Sequence, residues 1–158
     1  MSQVDQLSDV VIRVAACGDL DALAAIETQC FEEAERWSAS AWREELAGDN
    51  RLTLVAEVGE VVAAACFHVA GDSAELYNIM TAPQWQGFGL ATLLLARGFD
   101  WASQQGATQM LLEVRVNNGA QALYADVGFT PLYERTNYYG PGLHALVMRR
   151  ELKGADHV

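Results

Sequence analysis

The strongest structural signal in the chain is the stretch Ala82-Pro83-Gln84-Trp85-Gln86-Gly87-Phe88-Gly89-Leu90-Ala91-Thr92-Leu93-Leu94-Leu95-Ala96. An apolar run that is typical of a strand ends at Pro83, small residues follow, and an apolar helix begins at once. Small residues at a strand-to-helix turn expose several backbone N–H groups in one place, and the helix dipole adds partial positive charge there. The turn is therefore suited to an anionic phosphate, which indicates a phosphate-bearing cofactor.

Residue spacing separates the known kinds of phosphate loop. A Walker loop needs a Gly-Lys-Ser/Thr sequence, and no lysine lies near this turn. A Rossmann fingerprint needs a small residue three positions after its second glycine, where this chain has Thr92. The remaining pattern, Gln86-x-x-Gly89-x-Ala91, resembles the pyrophosphate loop of the GCN5-related N-acetyltransferase (GNAT) family, although a helix N-terminus with convenient glycines stays open.

This resemblance implies acetyl-coenzyme A (acetyl-CoA) as the cosubstrate. The residues that would hold its diphosphate are Gln86, Gly87, Phe88, Gly89, Leu90 and Ala91. The family often carries a basic residue where this chain has Phe88, so backbone amides and the helix dipole must hold more of the diphosphate here.

Length and composition predict one globular domain over residues 1–158, with a short frayed tail at 154–158. The chain is 51% hydrophobic and 20% charged, which is typical of globular and not of disordered proteins. No apolar run approaches the ~20 residues of a membrane span, and the N-terminus has no apolar signal core. Three cysteines predict reduced thiols and a cytoplasmic location, and no Cys/His cluster has the spacing of a metal site.

The net charge of -11 disfavours direct binding to nucleic acid and favours a cationic partner. Acidic residues gather at Glu32, Glu33 and Glu35. They form either a solvated loop or an acidic rim that attracts a basic substrate tail.

Periodicity and turn signals predict an alternation of strands and helices. Asp19 is expected to cap a helix over Leu20–Phe31 whose apolar stripe is Leu20, Leu23, Ala24 and Ile26, and Ser38 to cap a second helix that ends near Gly48. The predicted strands are Val10–Ala15, Leu52–Val58, Val61–Val69, Ala74–Thr81, Met110–Val116, Thr130–Arg135 and Leu143–Leu152, with later helices up to about Gln105 and over Asn118–Val127. This order predicts an α/β or α+β fold, a mixed sheet with helices on both faces.

Motifs in the second half narrow the resemblance to the RimI-type ribosomal-protein-alanine N-acetyltransferases within that family. They are Leu112-Glu113-Val114-Arg115-Val116-Asn117, Ala122-Leu123-Tyr124, Val127-Gly128-Phe129, Arg135-Thr136-Asn137-Tyr138-Tyr139 and Ala145-Leu146-Val147-Met148. The resemblance covers most of residues 11–152. It implies the acetyltransferase fold, in which two central strands splay apart around the pantetheine arm.

By the same resemblance, Ile79, Met80 and Thr81 would line the acetyl and pantetheine end. An asparagine that opens the helix after Glu113 would bind the pantetheine arm. Counting back from Tyr124 selects Asn117, which we favour, and counting forward from Glu113 selects Asn118.

The resemblance also implies the chemistry. Glu113 matches the family's general base, acting through water, and Tyr124 matches its general acid toward the coenzyme sulfur. Taken singly, Glu113 could be an ordinary salt-bridging acid and Tyr124 a packing aromatic. Arg135, Asn137, Tyr138 and Tyr139 would border the substrate peptide, with core-edge packing as the alternative for the tyrosines.

The predicted function is acetyl transfer from acetyl-CoA to a protein N-terminal α-amine by direct attack in a ternary complex, since no cysteine is placed like a ping-pong nucleophile. The resemblance points to the N-terminal alanine of a small-subunit ribosomal protein, a basic acceptor. A small-molecule amine, such as a polyamine or an aminoglycoside, and a non-catalytic acetyl-CoA-binding module stay open. Neither a metal nor a membrane is expected, and the sequence leaves the oligomeric state open.

Overall fold

A computed structural model describes residues 3–116 and 119–153. Its strands are β1 (Val11–Val14), β2 (Arg51–Val58), β3 (Glu60–Ala70), β4 (Ser73–Thr81), β5 (Gln109–Arg115), β6 (Thr130–Arg135) and β7 (Ala145–Glu151). Its α-helices are α1 (Gln3–Gln6), α2 (Leu20–Cys30), α3 (Ala39–Ala47), α4 (Leu90–Gln104) and α5 (Ala120–Asp126). The predicted order is confirmed, and the short helix α1 is an addition to it.

The strands form a seven-stranded sheet in the order β1-β2-β3-β4-β5-β7-β6. Strands β4 and β5 run parallel where Ser73 pairs with Gln109. The β1–β2, β2–β3, β5–β7 and β6–β7 pairs are antiparallel. The predicted mixed α/β sheet is therefore confirmed.

The chain divides into two compact units, each with its own packing. The first comprises the described residues up to His68 together with Tyr77–Gly98, and the second comprises Val69–Leu76 and the described residues from Phe99 onward. In the first unit, β3 is buried without interruption over 62–67, as expected for a strand that is covered on both faces. Its core cluster is Leu23, Ile26, Trp42, Val55, Ala64, Cys66 and Met80.

Helix α3 begins as its sequence predicts, because the Ser38 hydroxyl accepts a hydrogen bond from the Ala41 N–H at 3.1 Å. Asp19 stands at the N-cap position of α2 as predicted, but its side chain forms no capping hydrogen bond. The Asp19 carboxylate accepts from Arg13 and from the Ala16 N–H instead, because β1 brings a guanidinium within 2.8 Å of it.

The predicted apolar stripe of α2 also needs a correction. Ala24 is exposed, and Glu27 lies buried beside the apolar residues. The carboxylate of Glu27 accepts from Trp42 Nε1 at 2.6 Å and from the Trp37 N–H at 3.0 Å. These two bonds satisfy the buried carboxylate and join α3 and the segment before it to α2.

The second unit is built on β5, β7 and β6. Phe129, just before β6, packs between Phe99 and Tyr124, with ring centroids 5.8 and 6.0 Å away. Arg150 of β7 lies over the Phe99 ring and donates through Nε to the Val127 carbonyl at 2.8 Å. This packing holds the C-terminal end of α5 against the strands.

Candidate active site

The turn at the start of α4 leaves a run of backbone amides free. The N–H groups from Gly87 to Thr92 donate to no group among the described residues, and Leu93 is the first that bonds backward, to the Gly89 carbonyl at 3.1 Å. Gly87 and Gly89 both have φ of 84°, and a Cβ on either would meet nothing within 4 Å. Free amides, open space and the N-terminus of a 15-residue helix together fit a phosphate.

The predicted loop residue Gln86 is used differently from its neighbours. Its side-chain amide donates to the Thr81 carbonyl at 3.1 Å, and its backbone N–H donates to the Pro83 carbonyl. The Cys30 thiol donates to the same Thr81 carbonyl at 3.2 Å. Burial raises the pKa of Cys30, which keeps the thiol protonated and unsuited to act as a nucleophile.

The three residues predicted to line the acyl end lie at the end of β4. Ile79 and Thr81 are half-buried. The Met80 side chain is buried in the core of the first unit, next to Ile26 and Trp42 among others. Any contact of Met80 with a cofactor would therefore come from its backbone.

In the second unit, the structure brings Glu113 together with two of the predicted acceptor-site residues. The Nη1 of Arg135 lies 3.2 Å from Oε1 of Glu113, and Tyr138 lies beside the same carboxylate. The Arg135 guanidinium also lies 5.0 Å from the Tyr138 ring centroid. Hydrogen bonding to Glu113 raises the pKa of Tyr138 above its usual value, because the carboxylate opposes a phenolate beside it.

Tyr124 lies on α5 and is only 7% exposed. Burial, with a smaller effect from Tyr139, raises the pKa of Tyr124 to about 12. Because its pKa is raised, the hydroxyl keeps its proton at neutral pH. Within the described residues no group forms a hydrogen bond with this hydroxyl, so it is available to donate one.

The segment that carries Tyr138 and Tyr139 is a turn held by Asn137. Its backbone has φ of 55°, its N–H donates to Nδ1 of His144 at 2.9 Å, and its side-chain oxygen accepts from the Gly142 N–H at 2.8 Å. The two tyrosines remain 49% and 40% exposed. Asn137 thus shapes the predicted acceptor site, and the tyrosines face solvent. The predicted coenzyme contacts Asn117 and Asn118 lie outside the described residues.

A cleft of about 280 Å³ in the first unit was not predicted from the sequence. Glu45 is 5% exposed, and its carboxylate lies 2.6 Å from Nε2 of His68 and 3.4 Å from Nη1 of Arg51. The His68 ring stacks on the Tyr77 ring, with 3.5 Å between the centroids. The lining residues are Trp37, Ala41, Glu44, Glu45, Arg51, His68 and Tyr77. The sequence feature that points to this cleft is Glu45, an acidic residue three positions after Trp42 on the buried face of α3.

Neither a metal centre nor a membrane helix is found in the part of the chain that the structure describes. No group of three or more His, Cys, Asp or Glu side chains over 3–116 and 119–153 could hold a metal ion. Over the same residues no helix is both long enough and apolar enough to cross a bilayer.

Comparison with known proteins identifies the family. The acetyltransferase (GNAT) family model matches residues 20–129. The ribosomal protein bS18-alanine N-acetyltransferase of Haemophilus influenzae is 31% identical over 131 residues, which cover 82% of this chain and 87% of that protein. The crystal structure of the ribosomal-protein-S18-alanine N-acetyltransferase from Escherichia coli is similar with a TM-score of 0.79 and 30% identity, covering 90% of this chain and 94% of that one.

A further crystal structure, of the ribosomal-protein-alanine N-acetyltransferase from Brucella melitensis, gives a TM-score of 0.77 at 25% identity, over 90% of this chain and 99% of that one. The matched span 20–129 contains the free amides at the start of α4, on which the prediction of the family was based. That prediction is confirmed: the chain belongs to the GNAT family of acetyltransferases and is an acetyl-CoA-dependent N-acetyltransferase.

Proposed function

We propose that this enzyme acetylates the N-terminal α-amine of a protein, and that its acceptor is a ribosomal protein that begins with alanine. The relatives from H. influenzae and E. coli are named as alanine N-acetyltransferases of ribosomal proteins bS18 and S18. The net charge of -11 supports a basic acceptor, because an acidic surface raises the local concentration of a cationic partner. We expect the reaction to take place in the cytoplasm.

The free amides of residues 87–92 are the observation that carries this proposal. Together with Gln86, these residues would hold the acetyl-CoA diphosphate. Backbone N–H donors would take the place of the basic side chain that the family often carries at the position of Phe88. Ile79, Met80 and Thr81 would flank the acyl end, and Asn117 or Asn118 would bind the pantetheine arm. When bound, acetyl-CoA supplies the activated thioester carbonyl.

Glu113 acts on the acceptor amine as the base, and Tyr124 acts on the departing sulfur as a hydrogen-bond donor. Glu113 accepts a proton from the acceptor's ammonium, through a water, and leaves a neutral amine. The amine nitrogen forms a bond to the acetyl carbon to give a tetrahedral oxyanion. The carbon–sulfur bond then breaks, the electron pair leaves with sulfur as a thiolate, and the second proton on nitrogen passes to water, which leaves a neutral amide. Tyr124 donates its hydroxyl proton in a hydrogen bond to that sulfur, and a backbone N–H near Met80 would stabilise the oxyanion.

Asn137, Tyr138 and Tyr139 would border the acceptor peptide. The turn held by Asn137 presents both tyrosines to solvent, where a peptide could contact them. An aromatic ring with a hydroxyl suits such a surface, because it buries a large apolar area and still forms a hydrogen bond.

An α-amine suits a lone carboxylate base better than a lysine does. The pKa of an α-amine is about 7.7–8.0 and that of lysine about 10.4, so deprotonating lysine at neutral pH costs roughly 3.4 kcal/mol more. The free energy difference favours N-terminal acetylation.

A panel of acceptors tests the proposal. One peptide starts with alanine and contains an internal lysine, a second is the same peptide with a formyl group on its N-terminus, and spermidine is the third acceptor. Thiol release measures turnover, and tandem mass spectrometry locates the acetyl group. We expect turnover on the first peptide alone, with the acetyl group on alanine. Acetylation of lysine or of spermidine, or acetyl-CoA binding without turnover on any amine, would contradict the proposal.

A further inference from the structure

Three side chains of the second unit contact one another around the proposed base. Arg135 forms an ion pair with Glu113 at 3.2 Å, its guanidinium lies over the Tyr138 ring at 5.0 Å, and Tyr138 lies beside the Glu113 carboxylate, which raises its pKa. Each member therefore restrains the other two. Because Arg135 is already engaged with Glu113, it is not a free cation that waits for an acceptor.

The strand register explains how Arg135 reaches a residue two strands away. Strand β7 pairs with both β5 and β6, so that Ala145 is opposite Arg115 on one side and opposite Arg135 on the other. In the same way Val147 lies between Glu113 and Tyr133. Arg135 therefore reaches Glu113 diagonally over β7.

The geometry points to Arg135 as a positioning residue for Glu113, an inference that rests on the proposed role of Glu113 as the base. A carboxylate at a strand end can adopt several rotamers, and a general base acts efficiently only when its oxygen is correctly oriented. The ion pair with Arg135, with Tyr138 beside it, holds one orientation of the carboxylate. An ionised carboxylate accepts about four hydrogen bonds, so lone pairs remain for the water that takes the ammonium proton.

The charges of the cluster agree with this role. Glu113 and Arg135 together are neutral, so the cluster does not bind an arriving ammonium as a strong ion pair. Their side chains are 29% and 44% exposed, and ion pairs with that exposure contribute little to stability. Replacing Arg135 should therefore leave the protein folded and change the reaction.

The first test is a double-mutant cycle on kcat and on both KM values. We expect Arg135→Gln to lower kcat about tenfold, a part of the 10²–10⁴-fold that general base catalysis contributes. The KM for acetyl-CoA should stay within about twofold, and Arg135→Lys should recover part of the lost kcat. In a Glu113→Gln background the same change should have almost no effect, because its target is gone. Arg43→Gln, an exposed arginine on α3, is the matched control and should behave as wild type.

Two outcomes of the cycle would overturn the inference. An equal loss of kcat from Arg135→Gln with and without Glu113 would show that the two residues act independently. A raised acceptor KM at unchanged kcat would assign Arg135 to acceptor binding.

The second test needs no acetyl transfer and so separates this inference from the proposed function. Nuclear magnetic resonance follows titration of the Tyr138 phenol in the full chain. The midpoint should lie above the usual value in the wild type, fall in Glu113→Gln and rise further in Arg135→Gln, since Arg135 favours the phenolate. If neither variant moves the midpoint, the cluster does not form and the inference fails, whatever the acceptor panel shows.

Discussion

At the scale of single residues, Glu27 shows how a buried charge is made tolerable. The side chain is 1% exposed, and its two oxygens accept from the indole of Trp42 and the backbone of Trp37. Glu27→Leu leaves both donors without a partner and should lower the free energy of unfolding by about 2–4 kcal/mol. Glu27→Gln keeps one acceptor and should cost about half as much. Urea unfolding of both variants measures the difference, and equal losses would contradict this account.

Also at this scale, the pKa of Tyr124, raised to about 12 by burial, defines what the residue can do. A thiol has a pKa near 8.5, so complete transfer of the phenol proton to the departing sulfur would be uphill by about 3.5 pKa units. Tyr124 therefore stabilises the thiolate as a hydrogen-bond donor. Tyr124→Phe should lower kcat roughly a hundredfold, as loss of one such donor does. Below about pH 10, deprotonation of Tyr124 should not lower the wild-type rate. If Tyr124→Phe releases the thiol at an unchanged rate, Tyr124 has only a packing role.

At the scale of elements, α4 approaches β3 at Gly98. A Cβ on Gly98 would lie only 2.6 Å or less from three atoms of the buried Phe67 ring. Alanine gains up to about 1 kcal/mol of helix propensity over glycine, but overpacking costs about 1–3 kcal/mol. Gly98→Ala should therefore lower the free energy of unfolding by about 1–2 kcal/mol, since the clash outweighs the gain. Phe67→Leu in the Gly98→Ala background should recover part of that loss in thermal unfolding, and a stabilised Gly98→Ala protein would refute the close approach.

The same scale shows what could be predicted from the sequence. Ser38 marks the start of α3 as predicted, because a cap acts on its own neighbours in the chain. The Asp19 side chain forms no capping hydrogen bond at the start of α2, because Arg13, on another element, competes for the carboxylate. The pairing of Arg135 with Glu113 could not be predicted, since it depends on the register of both strands against β7. The loop at 86–91 was predictable because its glycines and its helix are consecutive in sequence.

At the scale of the whole molecule, acid should destabilise the fold through carboxylates such as Asp19. The hydrogen bond from Arg13, supported by the Ala16 N–H, lowers the pKa of Asp19 below its usual value near 3.8. A carboxylate with a depressed pKa contributes stability above its unfolded pKa, and that stability is lost as the pH falls through the folded pKa. Asp19→Asn should cost about 1–2 kcal/mol at pH 7, and its difference from the wild type should shrink below about pH 4. Urea unfolding at several pH values measures this, and a difference that is constant with pH would contradict it.

The central claim at this scale is that amides at the start of α4 hold the diphosphate of acetyl-CoA. Calorimetric titration of the purified chain, first with acetyl-CoA and then with acetyl-pantetheine, which lacks the diphosphate, tests it most directly. We expect heat and saturation at a single site with acetyl-CoA, and binding at least a hundredfold weaker with acetyl-pantetheine, since losing about 2.7 kcal/mol of binding free energy has that effect. No heat from acetyl-CoA, or equal affinity for the two compounds, would contradict the account.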